Sequence, residues 1–300
     1  MTSLPERLSP QGQPVALFVT CIIDLIYPQM GLAVVDVLEH IGIPVDFPQA
    51  QTCCGQPAFN SGYQAEARTA ARQFLRAFDG AAVIVCPSGS CAAMVRHEYP
   101  RLFPDEPEWA ARAERAASRT WEFSEYLVDG LGLVDLQLRL PAPRTFAFHD
   151  ACHGLRLLGL RQAARALIAH MENATLVEMT ESDVCCGFGG LFSLKMPEVS
   201  SAMLQTKLNH INATPAEVIL TGDASCLAQM NGGLARQGHP KRVRHWVEVL
   251  AEGLPKDKYD GHSIEQFHPA GTPGYPGCRA GGCRGAGHAH RPHQAPRRAL

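Results

Sequence analysis

Eleven cysteines, at positions 21, 53, 54, 86, 91, 152, 185, 186, 226, 278 and 283, hold most of the chemical capacity of this 300-residue chain. Two pairs read Cys-Cys-Gly: Cys53-Cys54-Gly55 and Cys185-Cys186-Gly187. Chance at this composition gives about 0.04 such tripeptides, so an internal duplication has to be considered first. Thirty-one residues separate Cys21 from Cys53 and 32 separate Cys152 from Cys185; 36 lie between Cys54 and Cys91 and 39 between Cys186 and Cys226. One four-cysteine frame thus occurs twice, as Cys21, Cys53, Cys54 and Cys91 and as Cys152, Cys185, Cys186 and Cys226. Thiolates are soft donors, and four suffice either for one iron–sulfur centre or for a tetrahedral zinc ion.

The elements that must carry these thiols repeat as well. VALFVTC (15–21) corresponds to RTFAFHDAC (144–152), and AAVIVCPSGSC (81–91) to AEVILTGDASC (216–226). Each is an apolar, β-rich run that breaks into small and polar residues before a cysteine. Helical periodicity follows at Val34, Leu38 and Ile41, with Gly42 as a stop, and at Tyr63, Ala67, Ala70, Phe74 and Phe78. The second half repeats it at Ala164, Leu167, Ile168 and Met171 and at Met203, Leu204, Leu208 and Ile211. The alternation predicts an α/β chain of two tandem pseudo-symmetric domains, each a short, mainly parallel sheet covered by helices, with cysteines at the strand C-terminal ends. Strand-to-helix loops suit thiolates, because free N–H groups and the helix dipole stabilise negative charge there. Adjacent side chains of a regular strand point apart, so Cys53 and Cys54 reach one centre only through a bend, which Gly55 permits; Gly187 does the same in the second copy. Both glycines also let backbone N–H groups approach sulfur.

Two further helices are expected at Glu108–Arg119 and Trp121–Leu131, then a Pro141-Ala142-Pro143 linker. The expected division is 14–140 and 141–254 for the two cysteine-rich domains, and 255–300 for a disordered tail rich in Gly, Pro, His and Arg. The tail's Cys278, Cys283, His288, His290 and His293 have loose spacing for a metal site.

Around the frames, Cys86 has no thiol counterpart, since Thr221 holds that place; it reads as a fifth ligand, a thiol beside the centre or a packed strand-end residue. His153 is placed to hydrogen-bond a cluster sulfur or to shuttle a proton, and His149 reads more readily as a loop-closing residue. Ser88, Ser90 and Ser225 read as helix caps, because their loops lack the G-x-S-x-G elbow. Gly187-Phe188-Gly189-Gly190 is not a dinucleotide loop, because Phe192 stands where the third glycine would be.

The composition, 46% hydrophobic and 19% charged, is that of a folded globular chain with room for two cores. A net charge of -2 provides no footprint for nucleic acid or anionic lipid. Apolar runs such as Val15–Cys21 and Ala81–Cys86 fall far short of a membrane span of about 20 residues. The N-terminal MTSLPERLSPQGQP lacks the basic and apolar regions of a secretory signal, so the expected location is the cytoplasm, where thiols stay reduced.

The frame Cys-x31-Cys-Cys-Gly-x36-Cys resembles the cysteine-rich CCG domain of heterodisulfide reductase and glycolate oxidase iron–sulfur subunits. VTC at 19–21, CCGQPAFNSGY at 53–63, PSGSC at 87–91, HDACH at 149–153, CCGFGG at 185–190 and GDASC at 222–226 are similar to the branch of that family in bacterial lactate-utilisation systems. The resemblance implies an iron–sulfur electron-transfer subunit of a complex that oxidises L-lactate to pyruvate. It also implies partners: other lactate-utilisation proteins, among them a ferredoxin-type iron–sulfur subunit, and a flavoprotein. The family's other chemistries make a thiol/disulfide redox catalyst and a zinc-stabilised assembly subunit the alternatives. Many CCG domains close with C-x-x-C, but here Ser88 stands three before Cys91 and Asp223 three before Cys226. A 4Fe–4S centre and a noncubane variant both remain open.

Overall fold

The computed structural model describes residues 7–255; the first six residues and 256–300, with Cys278, Cys283 and the expected disordered tail, lie outside the described residues. Among the described residues eight strands form two four-stranded sheets, and every pairing is parallel. The first sheet has the order β2-β1-β3-β4 and contains β1 (Val15–Leu17), β2 (Val45–Asp46), β3 (Val83–Cys86) and β4 (Thr120–Glu122). The second repeats that order as β6-β5-β7-β8, with β5 (Arg139–Phe148), β6 (Glu172–Leu176), β7 (Val218–Thr221) and β8 (Arg242–His245). Helices connect the strands, so the chain is the doubly repeated α/β protein that the alternation predicts.

This strand order reverses direction between β1 and β3, and again between β5 and β7. Such a switch opens a crevice beyond the carboxyl ends of the strands. Cys21 follows β1 and Cys91 follows β3, while Cys152 follows β5 and Cys226 follows β7, so topology alone brings each pair to one crevice. The Cys-Cys-Gly loops come from the neighbouring strands β2 and β6.

Strand alternation divides the core. Val15, Leu17, Val83 and Val85 join a buried cluster that continues into the second sheet through Trp121, Phe123, Phe146, Ile219 and Trp246. Phe123 stacks on Trp246 with ring centroids 5.3 Å apart, which joins the repeats by an aromatic contact. Ala16, Phe18, Ile84 and Cys86 face the other way, into a second cluster with Phe74, Phe78, Tyr99 and Phe103.

Two local expectations need correction. The segment read as a helix from Trp121 starts as β4, and Glu122 then caps a helical turn beginning at Phe123 by accepting from the Ser124 and Glu125 N–H groups. The Pro141-Ala142-Pro143 linker lies inside β5. Its register against β6 slips between Arg139 and Arg144, where two prolines have no N–H to donate.

Two sets of contacts hold the ligand loops. In the second repeat the buried Asp150 carboxylate accepts from Ser182 Oγ at 2.8 Å and from Arg165 at 2.6 and 3.1 Å, tying the Cys152 loop to the Cys185 loop. Burial opposes ionisation of Asp150, but Arg165 and Ser182 hold its carboxyl below the usual value. Lys207, fully buried, donates to the Glu181 and Ser182 carbonyls at 2.7 and 3.2 Å. The first repeat solves the same problem without charge: Gln51 accepts from the Val19 N–H at 3.0 Å and donates to the Leu17 carbonyl at 3.1 Å, and Tyr99 donates to the Cys54 carbonyl at 2.9 Å.

The second set crosses between the repeats. Asp223 Oδ2 accepts from the Ser90 N–H at 3.0 Å, the Gly89 N–H donates to the Gly222 carbonyl at 3.3 Å, and His245 Nε2 donates to the Pro87 carbonyl at 3.0 Å. His245 Nδ1 accepts from the Val247 N–H, which leaves Nε2 as the protonated nitrogen.

Removing the guanidinium in Arg165→Met strands a buried carboxylate and is expected to cost about 3–5 kcal/mol in denaturant unfolding. Burial holds the His245 imidazole down to about 4, against the opposing pull of the Pro87 carbonyl. The unfolded chain takes up that proton near pH 6.5 or so and the folded chain only near 4, so the residue's stabilisation is complete above this window and is lost as pH falls through it. Glu122, pushed up to about 7 by burial, acts in the opposite sense, so the test is a comparison: His245→Asn should show a weaker fall of Tm with pH across this window than the unaltered protein.

Candidate metal centres

All eight frame cysteines open on one cavity of about 110 Å³. Cys21 and Cys152 are the first residues of the helices Cys21–Ile26 and Cys152–Leu158. Cys91 and Cys226 sit in the first turn of the helices Gly89–Ala93 and Ala224–Arg236, so each repeat aims two helix N-termini at its thiols. Among the nine described cysteines none is in a disulfide.

The Cys-Cys-Gly loops are built alike. Gly55 has φ +82° and Gly187 φ +84°, and each turns its N–H onto the first cysteine of the pair, at 3.4 Å from Cys53 Sγ and 3.4 Å from Cys185 Sγ. A side chain at Gly187 is also excluded by contact, since a Cβ there would lie 2.5 Å from the Ser200 carbonyl oxygen. Thr20, just before Cys21, has φ 74° and ψ 151°, a region that normally admits glycine alone and costs on the order of 1–3 kcal/mol. Its counterpart Ala151 has ordinary dihedrals, so this strain belongs to the first loop.

The electrostatics repeat at the Cys-Cys-Gly pairs, and in the second repeat Cys186, with His149, also holds the Cys226 thiol down to about 7 against burial. Hydrogen bonds from Cys21, then Cys54, hold the Cys53 thiol down to about 3, against burial and with help from the Gly55 N–H. Cys185 is held down to about 2 by Cys152, then Cys186, in the same way. The donating thiols of Cys21, Cys54, Cys152 and Cys186 are pushed up correspondingly. Cys54 and Cys91 lie 3.4 Å apart through their sulfurs. Each repeat therefore concentrates soft donors around one thiolate, and a metal entering would displace the remaining thiol protons.

Cys86 stands apart. It is fully buried among Phe18, Ile84 and Tyr99, its thiol faces the Ser88 carbonyl at 3.5 Å, and it is not among the residues lining the cavity. His153 does line the cavity, with Nδ1 3.5 Å from Cys152 Sγ. Ser88 caps its helix by accepting from the Cys91 N–H. Ser225 does not cap; Asp223 takes that role, accepting from Ser225 and, across the repeats, from Ser90.

Sequence reasoning gave His149 too little weight. It is buried at the end of β5, and its ring nitrogen lies within 4.8 Å of both Cys186 and Cys226 Sγ. The available signal was a histidine where the first repeat places the core residue Phe18.

The donors fit a thiophilic metal or an iron–sulfur cluster: four sulfurs per repeat, backbone N–H groups turned onto sulfur, and a buried imidazole without an oxygen or nitrogen partner among the described residues. Thiolates and the Asp223 carboxylate make the lining anionic, a complement to metal cations and a poor one to a carboxylate substrate.

Comparison with known proteins agrees with this architecture. The Cysteine-rich domain family, CCG, matches residues 15–96 and 146–231, one match per repeat. Lactate utilization protein A of Geobacillus kaustophilus is 48% identical over 236 residues, covering 79% of this chain and 98% of that protein. The protein of the same name from an Exiguobacterium species is 46% identical over 242 residues, covering 80% and 98%. A crystal structure of a hypothetical protein from Helicobacter pylori shares the fold at a TM-score of 0.57 and 11% identity, over 86% of this chain and 52% of that one. With both cysteine frames matched and near-complete coverage of close relatives, the chain belongs to the lactate utilization protein A family, built from two CCG cysteine-rich domains.

Proposed function

We propose that this chain is a cytoplasmic iron–sulfur electron-transfer subunit of a lactate-oxidising complex. The observation that carries the reading is the convergence of two four-thiol sets on one cavity, each with a glycine N–H turned onto sulfur. Cys21, Cys53, Cys54 and Cys91 would hold one centre, and Cys152, Cys185, Cys186 and Cys226 the other. A 4Fe–4S centre or its noncubane variant supplies one-electron storage when bound. The chain's own residues position the sulfurs, bury four of the eight cysteines and present N–H donors that stabilise the reduced charge.

Oxidation of L-lactate to pyruvate releases two electrons and two protons. That step is assigned to a partner, with the flavin and a ferredoxin-type iron–sulfur subunit residing on other lactate-utilisation proteins. The names of the relatives support the substrate. No described helix is long and apolar enough to cross a membrane.

One observation favours a second reading. His149, Cys186 and Cys226 place their ligand atoms within 4.8 Å of one another, compact enough for a single zinc ion in an assembly subunit.

Anaerobic purification followed by iron, acid-labile sulfide and zinc analysis separates the two. The expected result is about eight iron and matching sulfide per chain, with a reducible paramagnetic signal. Cys54→Ser or Cys186→Ser should each remove about half the iron, whereas Cys86→Ser should leave it whole, because Cys86 lies outside the cavity. Stoichiometric zinc without sulfide would overturn the electron-transfer assignment.

A further inference from the structure

The two sites are alike in their thiols and differ in what stands behind them. Phe18 and His149 occupy equivalent places: the Phe18 N–H donates to the Val85 carbonyl at 2.9 Å, and the His149 N–H donates to the Leu220 carbonyl at 2.8 Å. Phe18 meets the need of its site by packing edge-on against Phe74, with centroids 4.9 Å apart. His149 is as buried, at 2% exposure, yet neither ring nitrogen has an oxygen or nitrogen partner among the described residues, and its one polar contact is with the Cys226 thiol, which His149 helps to hold down.

A buried imidazole with no oxygen or nitrogen partner is costly to bury, so the sulfurs beside it are the groups its N–H can serve. On one side its nitrogen lies within 4.8 Å of Cys186 and Cys226 Sγ. On the other it lines a smaller cavity of about 40 Å³, shared with Glu122, Asp150 and Gly222.

We propose that His149 is an N–H donor to a sulfur of the group held by Cys152, Cys185, Cys186 and Cys226, and that it makes the second repeat the more oxidising of the two sites. The proposal rests on the iron–sulfur reading. A donor to cluster sulfur stabilises the added negative charge of reduction and raises the potential. Phe18 has no such hydrogen to offer.

The test uses the whole anaerobic protein in three forms: unaltered, His149→Phe, which installs the residue of the first repeat, and His149→Gln, which retains an N–H donor. Iron, sulfide and both midpoint potentials are measured by titration under paramagnetic resonance. His149→Phe is expected to shift the more positive potential downward, leave the other in place and keep the iron content; His149→Gln should recover part of the shift. Unchanged potentials in His149→Phe would overturn the proposal.

A measurement that retains His149 keeps the question decidable if the His149 variants do not fold. With nitrogen-15 histidine, in protein carrying His153→Ala so that the other imidazole beside that centre is removed, one reduced centre should show a weak imidazole coupling. No coupling at either centre overturns the proposal, and a strong coupling of a directly bonded nitrogen, with half the iron lost in His149→Phe, replaces the donor role by ligation. Unaltered protein without iron and sulfide sinks the iron–sulfur reading itself, a result separate from any of these.

Discussion

Four thiolates brought within contact of one another repel, and burial makes that repulsion stronger. The rest of the architecture answers this constraint. Parallel strands deliver their C-terminal ends to one edge, and the helices that follow present their positive ends there. Left-handed glycines add N–H groups to the first sulfur of each pair. Neighbouring thiols donate to Cys53 and Cys185, so that negative charge is favoured on the first sulfur of each pair. A metal would carry this logic further by supplying positive charge at the point of convergence.

The loops that carry these sulfurs cannot relax away from each other, and the two repeats prevent it by different means. The first uses a neutral amide, Gln51, and the phenol of Tyr99. The second uses an ionised network of Asp150, Arg165 and Lys207 around Ser182. Duplication preserved the sulfur positions and the strand order while the braces behind them diverged. Function constrains where the ligands sit more tightly than how they are held.

Much of this could be read from the residues. Cys-Cys-Gly and its spacing located both sites, and the apolar runs before each cysteine located β1, β3, β5 and β7, which are central and buried. The edge strands escaped notice for physical reasons. β2 has only two residues, β6 reads Glu-Asn-Ala-Thr-Leu, and β8 alternates arginine with valine, so none carries a continuous apolar run. β4 was absorbed into a helix because Phe123, Tyr126 and Leu127 directly after it carry helical spacing. Asp223 and His149 escaped because their importance lies in partners far away in sequence, the Ser90 N–H and the sulfurs of Cys186 and Cys226.

The contacts between repeats bear on how the protein is made. The loop bearing Cys91 rests on Asp223, Gly222 and His245, residues 133 to 158 positions later in the chain. A chain emerging from the ribosome at about 5–20 residues per second exposes the first frame many seconds before those supports exist. Gln51 and Tyr99 are already present to hold the loops of Cys21 and Cys54, whereas the Cys91 loop lacks its supports, so the first site reaches its final form only when the second repeat has been translated. Maturation of the earlier half therefore waits on synthesis of the later one.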